Sequence, residues 1–193
     1  INWTKQVIRD RGTYEGNNTF CTPTTCAPLA VEIDHFPNTV AAMELQIEGG
    51  GSELIHLSGP TTVHVFFEGP NEGDANDSDL NGREDVATEM VDMQLTGNSS
   101  FGPVVVRLNP ARPSLGRIEE TVNTQAGRLD LPPFAPAGTA DSFFDVFFEI
   151  HTRLGVFHTQ TPKRMSSVID HKPPGPGTVY ENLEKIQLLD ANG

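Results

Sequence analysis

The clearest pattern along the chain is alternation of apolar and polar residues, which is typical of strands with one buried face. Residues 43–48 and 91–96 alternate in this way, and each segment is followed by a glycine. Residues 62–68 and 143–150 are richer in Phe and share the string Val-Phe-Phe-Glu. These four segments predict four strands.

Shorter apolar segments predict further strands, and Arg153-Leu154-Gly155 predicts a hairpin turn between two of them. Residues 114–122 predict a short helix instead, because Leu115, Ile118 and Val122 would share one face and Ser114 could cap it. The further strands are predicted at 3–9, 29–33, 53–57, 104–108, 156–159, 165–170 and 186–189. The predicted fold is therefore all-β: an antiparallel β-sandwich, jelly-roll-like, with one short helix.

A length of 193 residues with 18 Gly and 15 Pro suits one domain of short strands and many turns. We expect a single β-sandwich domain over 1–193. Within it, 1–28 would form an N-terminal strand and a disulfide loop, and 29–193 the main sandwich. The similar segments are explained equally well by a weak internal duplication or by convergent strand patterning.

A formal net charge of −13 narrows the classes of partner. Such a surface repels nucleic-acid phosphates and anionic lipid head groups, so we expect no nucleic-acid partner. No apolar run is long enough for a membrane span. The excess of carboxylates attracts cations, but the charge taken alone is better explained by a need for solubility.

Cys21 and Cys26 are separated by a short polar segment containing Pro23, which predicts a small disulfide-closed loop and an oxidising compartment. The alternative is two free thiols. Four sequons add candidate glycosylation sites and glycan partners. They begin at Asn2, Asn17, Asn76 and Asn98. No leader opens the chain, and we expect that one has been removed. Together these features predict an extracellular or cell-surface location.

One segment carries recognisable metal chemistry: Asp77-Ser-Asp-Leu-Asn-Gly-Arg-Glu-Asp85 fits the pattern D-x-D-x-N-G-x-x-D. Alternate residues of a tight loop can aim oxygens at one Ca²⁺, and the glycine permits the sharp turn. The predicted calcium ligands are Asp77, Asp79, Asn81, the carbonyl of Arg83, and Asp85, with Asp74 and Glu89 as further oxygen donors. Thr88 stands where a sensor EF-hand has Glu, so a shorter structural loop is predicted. The alternative is a solvated acidic turn.

Several strings resemble a β-sandwich module of large uncharacterised secreted or surface proteins of environmental bacteria. The similarity covers residues 54–190. The strings are Leu108-Asn-Pro110, Ser114-Leu-Gly116, Ala140-Asp-Ser-Phe-Phe-Asp-Val-Phe-Phe-Glu149, Pro162-Lys-Arg-Met165 and His171-Lys-Pro-Pro174. This resemblance implies a surface-associated, non-enzymatic building block with a short calcium loop and no catalytic residues.

The sequence contains no G-x-S-x-G elbow and no phosphate-binding glycine loop, and we predict that the protein is not an enzyme. The leading hypothesis is a calcium-stabilised structural subunit of an extracellular filament, sheath or surface layer. It would self-associate into a homopolymer by strand addition. The alternative is a non-catalytic carbohydrate- or ligand-binding module of a secreted protein.

Overall fold

The computed structural model describes residues 4–8, 30–46 and 51–190, with side chains from residue 30 onward. These residues form eleven strands and no helix. The strands are β1 (Thr4–Ile8), β2 (Val31–Gln46), β3 (Ser52–Phe66), β4 (Asp85–Ser99), β5 (Gly102–Leu108), β6 (Ser114–Glu120), β7 (Ala140–Val146), β8 (Phe148–Thr152), β9 (Gly155–Thr159), β10 (Lys163–Ile169) and β11 (Leu188–Leu189). The all-β prediction is confirmed. None of the described residues forms a helix that is long and apolar enough to cross a membrane.

All the strands belong to one antiparallel sheet that divides at β4. Strands β1 to β4 are neighbours in chain order. Residues 85–90 of β4 pair with β6, whereas residues 94–99 pair with β5. We call the two branches beyond β4 limbs. The first limb consists of β6, β7 and β10, and the second of β5, β8, β9 and β11. The long strands β2, β3 and β4 therefore serve both limbs.

Each limb has its own cluster of buried apolar side chains. The first cluster contains Val63, Val65, Phe67, Val86, Ile118, Leu129, Leu131, Phe144, Val146 and Ile169, with Ala30, Ala75 and Ala140. The second contains Ile55, Leu57, Leu95, Val104, Val106 and Ile150. Met93 and Phe148 pack against both clusters. Burial of these side chains on one face follows the alternation that the sequence shows, and the hydrophobic effect favours it.

The predicted helix over 114–122 is wrong, because this segment is β6. Its inward positions are Ser114, Gly116, Ile118 and Glu120, which follow a strand period and not a helical one. A side chain at Gly116 would clash with the carbonyl of Phe143 and lie 2.6 Å from Thr88 Oγ1. Glycine therefore permits β6 to approach β7 closely, and the spacing of Leu115 and Ile118 was coincidental.

Other predicted strands differ in their extents. Two predicted segments merge in β2 and two more in β3, across an irregular stretch where Pro37 and Pro60 interrupt the regular pairing. Such irregularities accommodate prolines within long strands. The predicted strand at 143–150 is divided between β7 and β8. The hairpin at Arg153–Gly155 is confirmed, since β8 pairs with β9 across it.

Candidate functional site

Asp77 organises the backbone of the predicted metal loop. Its Oδ1 accepts a hydrogen bond from the Asn81 N–H at 3.0 Å, and its Oδ2 accepts one from the Gly82 N–H at 2.8 Å. Asn81 Oδ1 in turn accepts from the Arg83 N–H at 2.9 Å. Leu80 and Gly82 both have positive φ, 61° and 88°. The side chains at the first and fifth loop positions thus hold the turn through its own backbone.

Arg117 of β6 lies among the remaining carboxylates. Its guanidinium donates to Asp79 Oδ2 at 2.9 Å, is 3.9 Å from Asp85 Oδ2, and forms an ion pair with Glu119. Burial works to lower the pKa of Arg117, but the hydrogen bond to Asp79 and the surrounding carboxylates outweigh it and raise the pKa. Asp79 and Asp85 therefore both face the cationic side chain of Arg117.

The rest of the loop is tied to the same limb. Arg83 forms an ion pair with Glu119, and its Nη1 is 3.6 Å from Asp141 Oδ2 on β7. Asn81 Nδ2 donates to Glu119 Oε1 at 3.2 Å. Glu119 is only 4% exposed, so these contacts fill a half-buried network on β6. The loop consequently fastens the start of β4 to β6 and β7.

The two additional predicted ligands are Asp74 and Glu89. Asp74 Oδ2 accepts hydrogen bonds from the N–H and the side-chain amide of Asn71, at 2.8 and 3.1 Å. Glu89 is four residues beyond Asp85 along β4, about 13 Å at the usual strand rise. The structure therefore brings Asp79 and Asp85 to one cation, Arg117, whereas Asp74 bonds Asn71 and Glu89 pairs in register with Leu115 of β6.

In this arrangement the loop is not an open cage of oxygens for Ca²⁺. Among residues 4–8, 30–46 and 51–190, no group of three or more His, Cys, Asp or Glu is placed so that it could hold a metal ion. The guanidinium of Arg117 already supplies positive charge to Asp79 and Glu119. Calcium binding by this loop stays a prediction, and an ion there would compete with Arg117 for Asp79 and Asp85.

The remaining predicted sites are only partly within the described chain. Asn76 and Asn98 are exposed, Asn76 beside the loop and Asn98 in β4. Asn2 and Asn17, and the cysteines Cys21 and Cys26, lie outside the described residues, and so do their predicted modifications and disulfide.

A second charged cluster is buried, and the sequence pattern did not indicate it. Lys172, which follows β10, is 1% exposed. Its Nζ is 2.8 Å from Glu32 Oε1 and forms a second ion pair with Asp34. Both carboxylates are on β2, on the face that carries Val63 and Val65 in the neighbouring strand. This buried triad connects the chain after β10 to β2.

Tyr180 lies beside the triad. Its ring is 5.8 Å from that of Phe144, and its hydroxyl donates to Ser142 Oγ at 2.8 Å. Burial raises the pKa of Tyr180 to about 12, with a further contribution from the charge of Asp34, while the hydrogen bond to Ser142 acts in the opposite direction. The phenol is thus held neutral where it packs, partly buried, against the first cluster.

Three buried carboxylates organise the connection between β6 and β7. Glu120 accepts from the N–H groups of Glu84 and Asp130, at 3.0 and 2.7 Å. Glu84 Oε1 accepts from the Gly127 N–H at 2.8 Å, and Asp130 Oδ2 accepts from the Gln125 N–H at 3.1 Å. Burial raises the pKa of Glu120. These acids bind backbone amides locally, which gives them a structural role.

A shallow hollow of about 270 Å³ adjoins this connection. Three threonine hydroxyls and one carboxylate contribute to its wall. The lining residues are Thr121, Val122, Thr124, Asp130, Ala137, Gly138 and Thr139. Burial works to raise the pKa of Asp130, but backbone N–H groups of Thr124 and Gln125 outweigh it and lower the pKa. The hollow is a polar surface feature of the first limb.

Comparison with known proteins gives a fold likeness without a family. No protein-family model and no curated protein matches the chain. A solved structure, that of DynF from the dynemicin biosynthesis pathway of Micromonospora chersina, matches with a TM-score of 0.55 and 19% sequence identity. The match covers 81% of this chain and 72% of that chain. At this identity the likeness supports the fold alone.

Proposed function

We propose that this protein is a non-catalytic structural subunit of an extracellular filament, sheath or surface layer, which self-associates by strand addition. The observation that carries the proposal is the open form of the sheet. Among the described strands, β1 pairs only with β2, β11 only with β9, and the ladder of β10 is with β7. Edge strands present backbone N–H and C=O groups that another chain can pair with.

The use of charged side chains supports a structural role. Lys172 connects β2 to the chain after β10, and Arg117 connects the loop at 77–85 to β6. Arg164 donates to both oxygens of Asp145 across the β10–β7 pair. In each case the ion pair joins segments that are distant in sequence. The likeness to DynF brings no activity to this chain.

The experiment is electron microscopy with light scattering of the purified full chain at high protein concentration, with and without calcium. We expect polymers or ordered oligomers. Monodisperse monomers under every condition would remove the proposal.

A proline substitution at the β10 edge provides a more specific test of strand addition. The Ser166 N–H points away from β7, toward the carbonyl of Glu181, and Val168 has the same direction because N–H groups alternate along a strand. Val168→Pro therefore removes an edge donor without removing a β10–β7 bond, and Val168→Thr is the matched control. We expect Val168→Pro to reduce assembly and Val168→Thr to leave it unchanged.

The second candidate is a carbohydrate- or ligand-binding module, favoured by the hydroxyl-rich hollow at Thr121, Thr124 and Thr139. Sugar hydroxyls exchange hydrogen bonds readily with such groups. A glycan array tests it, with Thr139→Val as the comparison. Binding that Thr139→Val abolishes would favour this function over the first.

Two finer features belong to the proposal. We infer that the two limbs pack as a β-sandwich of jelly-roll type, which the bridging positions of Met93 and Phe148 between the core clusters support. Calcium would act as a stabiliser at the loop and not as part of the contact between subunits. The proposed assembly therefore does not depend on metal binding.

A further inference from the structure

A single irregular segment crosses the edges of both limbs. We call residues 178–190 the strap. At one point Glu181 and Ser166 of β10 exchange two backbone hydrogen bonds, of 3.1 and 3.3 Å. Further along, Leu188 and Leu189 form β11 and pair with β9. The strap thus supplies backbone partners to the first limb and then to the second.

The strap places one side chain against each core cluster. Tyr180 packs against the first cluster and Leu188 against the second. Between these anchors Leu183 is 94% exposed, and Val179 beside Tyr180 is 65% exposed. The strap therefore packs against the core clusters at two separated points, and between them hydrogen bonds made by Lys163 and Lys185 join it to the body. Segments held in this way open at lower free energy than the strands they cover.

The chain before the strap is fixed, and the connection is short. Lys172 is anchored by the buried triad. The linker that follows is Pro173-Pro-Gly-Pro-Gly177, with Gly177 at a φ of 91°. Proline restricts the directions that such a linker can take. A short, restricted hinge between a fixed body and a weakly held segment is a setting in which identical segments exchange between chains.

We propose that the strap of one copy occupies the track along β10 and β9 of a second copy, so that the partner is another molecule of this chain. This inference rests on the proposed self-association and names the segment that performs it. The acceptor is complementary because it already binds the same sequence. Tyr180 would donate to Ser142 of the neighbour, and Leu188 would pack on the neighbour's second cluster. Reciprocal exchange closes a dimer, whereas exchange in one direction builds an open polymer.

The net charge of the protein affects how readily two copies can exchange their straps. Two bodies of net charge −13 repel each other over long distances. The strap and the body also share hydrogen bonds to neutral amides, since Lys163 Nζ of β10 is 3.4 Å from Asn182 Oδ1 and Lys185 Nζ of the strap is 3.0 Å from Gln46 Oε1. We therefore expect exchange to increase with salt, which screens the repulsion between bodies.

Cysteine pairing between chains tests the exchange directly. Ser166 and Glu181 form a hydrogen-bonded antiparallel pair, for which the Cα separation is about 5.5 Å, within the range that a disulfide spans. Chains carrying only Ser166→Cys and chains carrying only Glu181→Cys are unfolded in urea, mixed, refolded together at high concentration and oxidised. We expect a covalent heterodimer in at least several-fold excess over the control.

The control mixture pairs Ser166→Cys with Leu80→Cys, since Leu80 is 88% exposed and lies in the loop at 77–85. It also accounts for disulfides formed by Cys21 and Cys26, which are present in every sample. A heterodimer no more abundant than in this control overturns the exchange. Formation of the intrachain disulfide in the Ser166→Cys/Glu181→Cys chain shows that the pair can form.

Electron microscopy of the same samples separates the two proposals. Polymers without the interchain disulfide overturn the strap exchange and leave the proposed function in place. A covalent closed dimer without polymers supports the exchange and removes the filament. If neither polymers nor heterodimers form, both proposals are overturned. As a second variant, deletion of Gly175 and Pro176 shortens the hinge, and we expect it to shift the population several-fold toward exchanged species; an unchanged distribution counts against exchange.

Discussion

The loop network around Arg117 and the buried triad around Lys172 place a basic side chain among carboxylates in contrasting surroundings. Arg117 is 31% exposed, and its partners Asp79 and Asp85 come from a short stretch of chain. Lys172 is 1% exposed and reaches partners 138 and 140 residues away. Water screens the first network and is excluded from the second. Similar ion pairs therefore contribute differently to the free energy of unfolding in the Arg117 network and in the Lys172 triad.

The difference also concerns what each cluster connects. The Arg117 network joins neighbours along one limb, because β4, β6 and β7 already pair through their backbones. The Lys172 triad joins the chain after β10 to β2, and these segments share no ladder among the described strands. Loss of the triad removes a connection that no backbone pairing replaces.

The largest effect is expected from Lys172→Met. This change leaves Glu32 and Asp34 buried without their cation, and breaking a buried ion pair from one side costs about 3–5 kcal/mol. Urea unfolding measures the loss in the free energy of unfolding. A loss below about 1 kcal/mol would show that the triad is solvated and that the contrast with Arg117 is false.

The control replaces all three charges with neutral analogues of similar shape: Lys172→Met, Glu32→Gln and Asp34→Asn. Removing the uncompensated charges should recover more than half of the stability that Lys172→Met loses. If the triple variant is no better, packing of the Lys172 side chain and not its charge explains the effect.

The next largest effect is expected from ionisation of Tyr180, which lies beside the triad. Its pKa is raised to about 12, mainly by burial, above the ordinary value of 10. The folded state favours the neutral phenol, so its contribution to stability is complete below pH 10 and is lost as the pH rises through about 12. We expect release of the strap in that window. Ultraviolet titration of a Tyr14→Phe chain, in which Tyr180 is the only tyrosine, measures it.

A matched variant moves the phenol by one residue. Val179→Tyr with Tyr180→Phe, in the same Tyr14→Phe chain, places the hydroxyl at a position that is 65% exposed. It should titrate near 10. Titration of both variants at the same pH would show that Tyr180 is not held neutral against the first cluster.

Sequence reasoning succeeded where the signal was local. Alternation identified most strands, and the Asp- and Asn-rich string at 77–85 is a turn held by its own side chains, while calcium binding there stays a prediction. It failed at β6, where Leu115 and Ile118 suggested a helix although Gly116 must pack against β7. It could not identify the triad, since Lys172 meets Glu32 only through the tertiary fold. Glu32 and Asp34 alternate with Val31 and Ile33 as the outward positions of an ordinary strand would, so their burial left no signal in the sequence.

Arg117→Met should have a smaller effect than Lys172→Met. Partly exposed ion pairs contribute roughly 0.2–1 kcal/mol each, and they weaken with salt. We expect a loss of about 1 kcal/mol in urea unfolding, decreasing when salt is raised to about 0.5 M. Arg117→Lys keeps the charge but loses the planar fork of the guanidinium. Its free energy of unfolding should therefore lie between those of the unaltered chain and of Arg117→Met. A loss that is large and independent of salt would contradict the contrast between the clusters.

The smallest effect is expected from calcium on the unaltered chain, because an ion must compete with Arg117 for Asp79 and Asp85. Arg117→Met removes the competitor and leaves three carboxylates, including Glu119, without their shared cation. If the affinity is about 1 mM, about 10 mM calcium should stabilise this variant by roughly 1.4 kcal/mol. Thermal unfolding with calcium, with chelator, and with magnesium as the ionic-strength control measures the difference. A midpoint that calcium leaves unchanged in both chains would show that the loop is a protein-only turn, in which Arg117 has taken the place that the sequence pattern assigns to a metal.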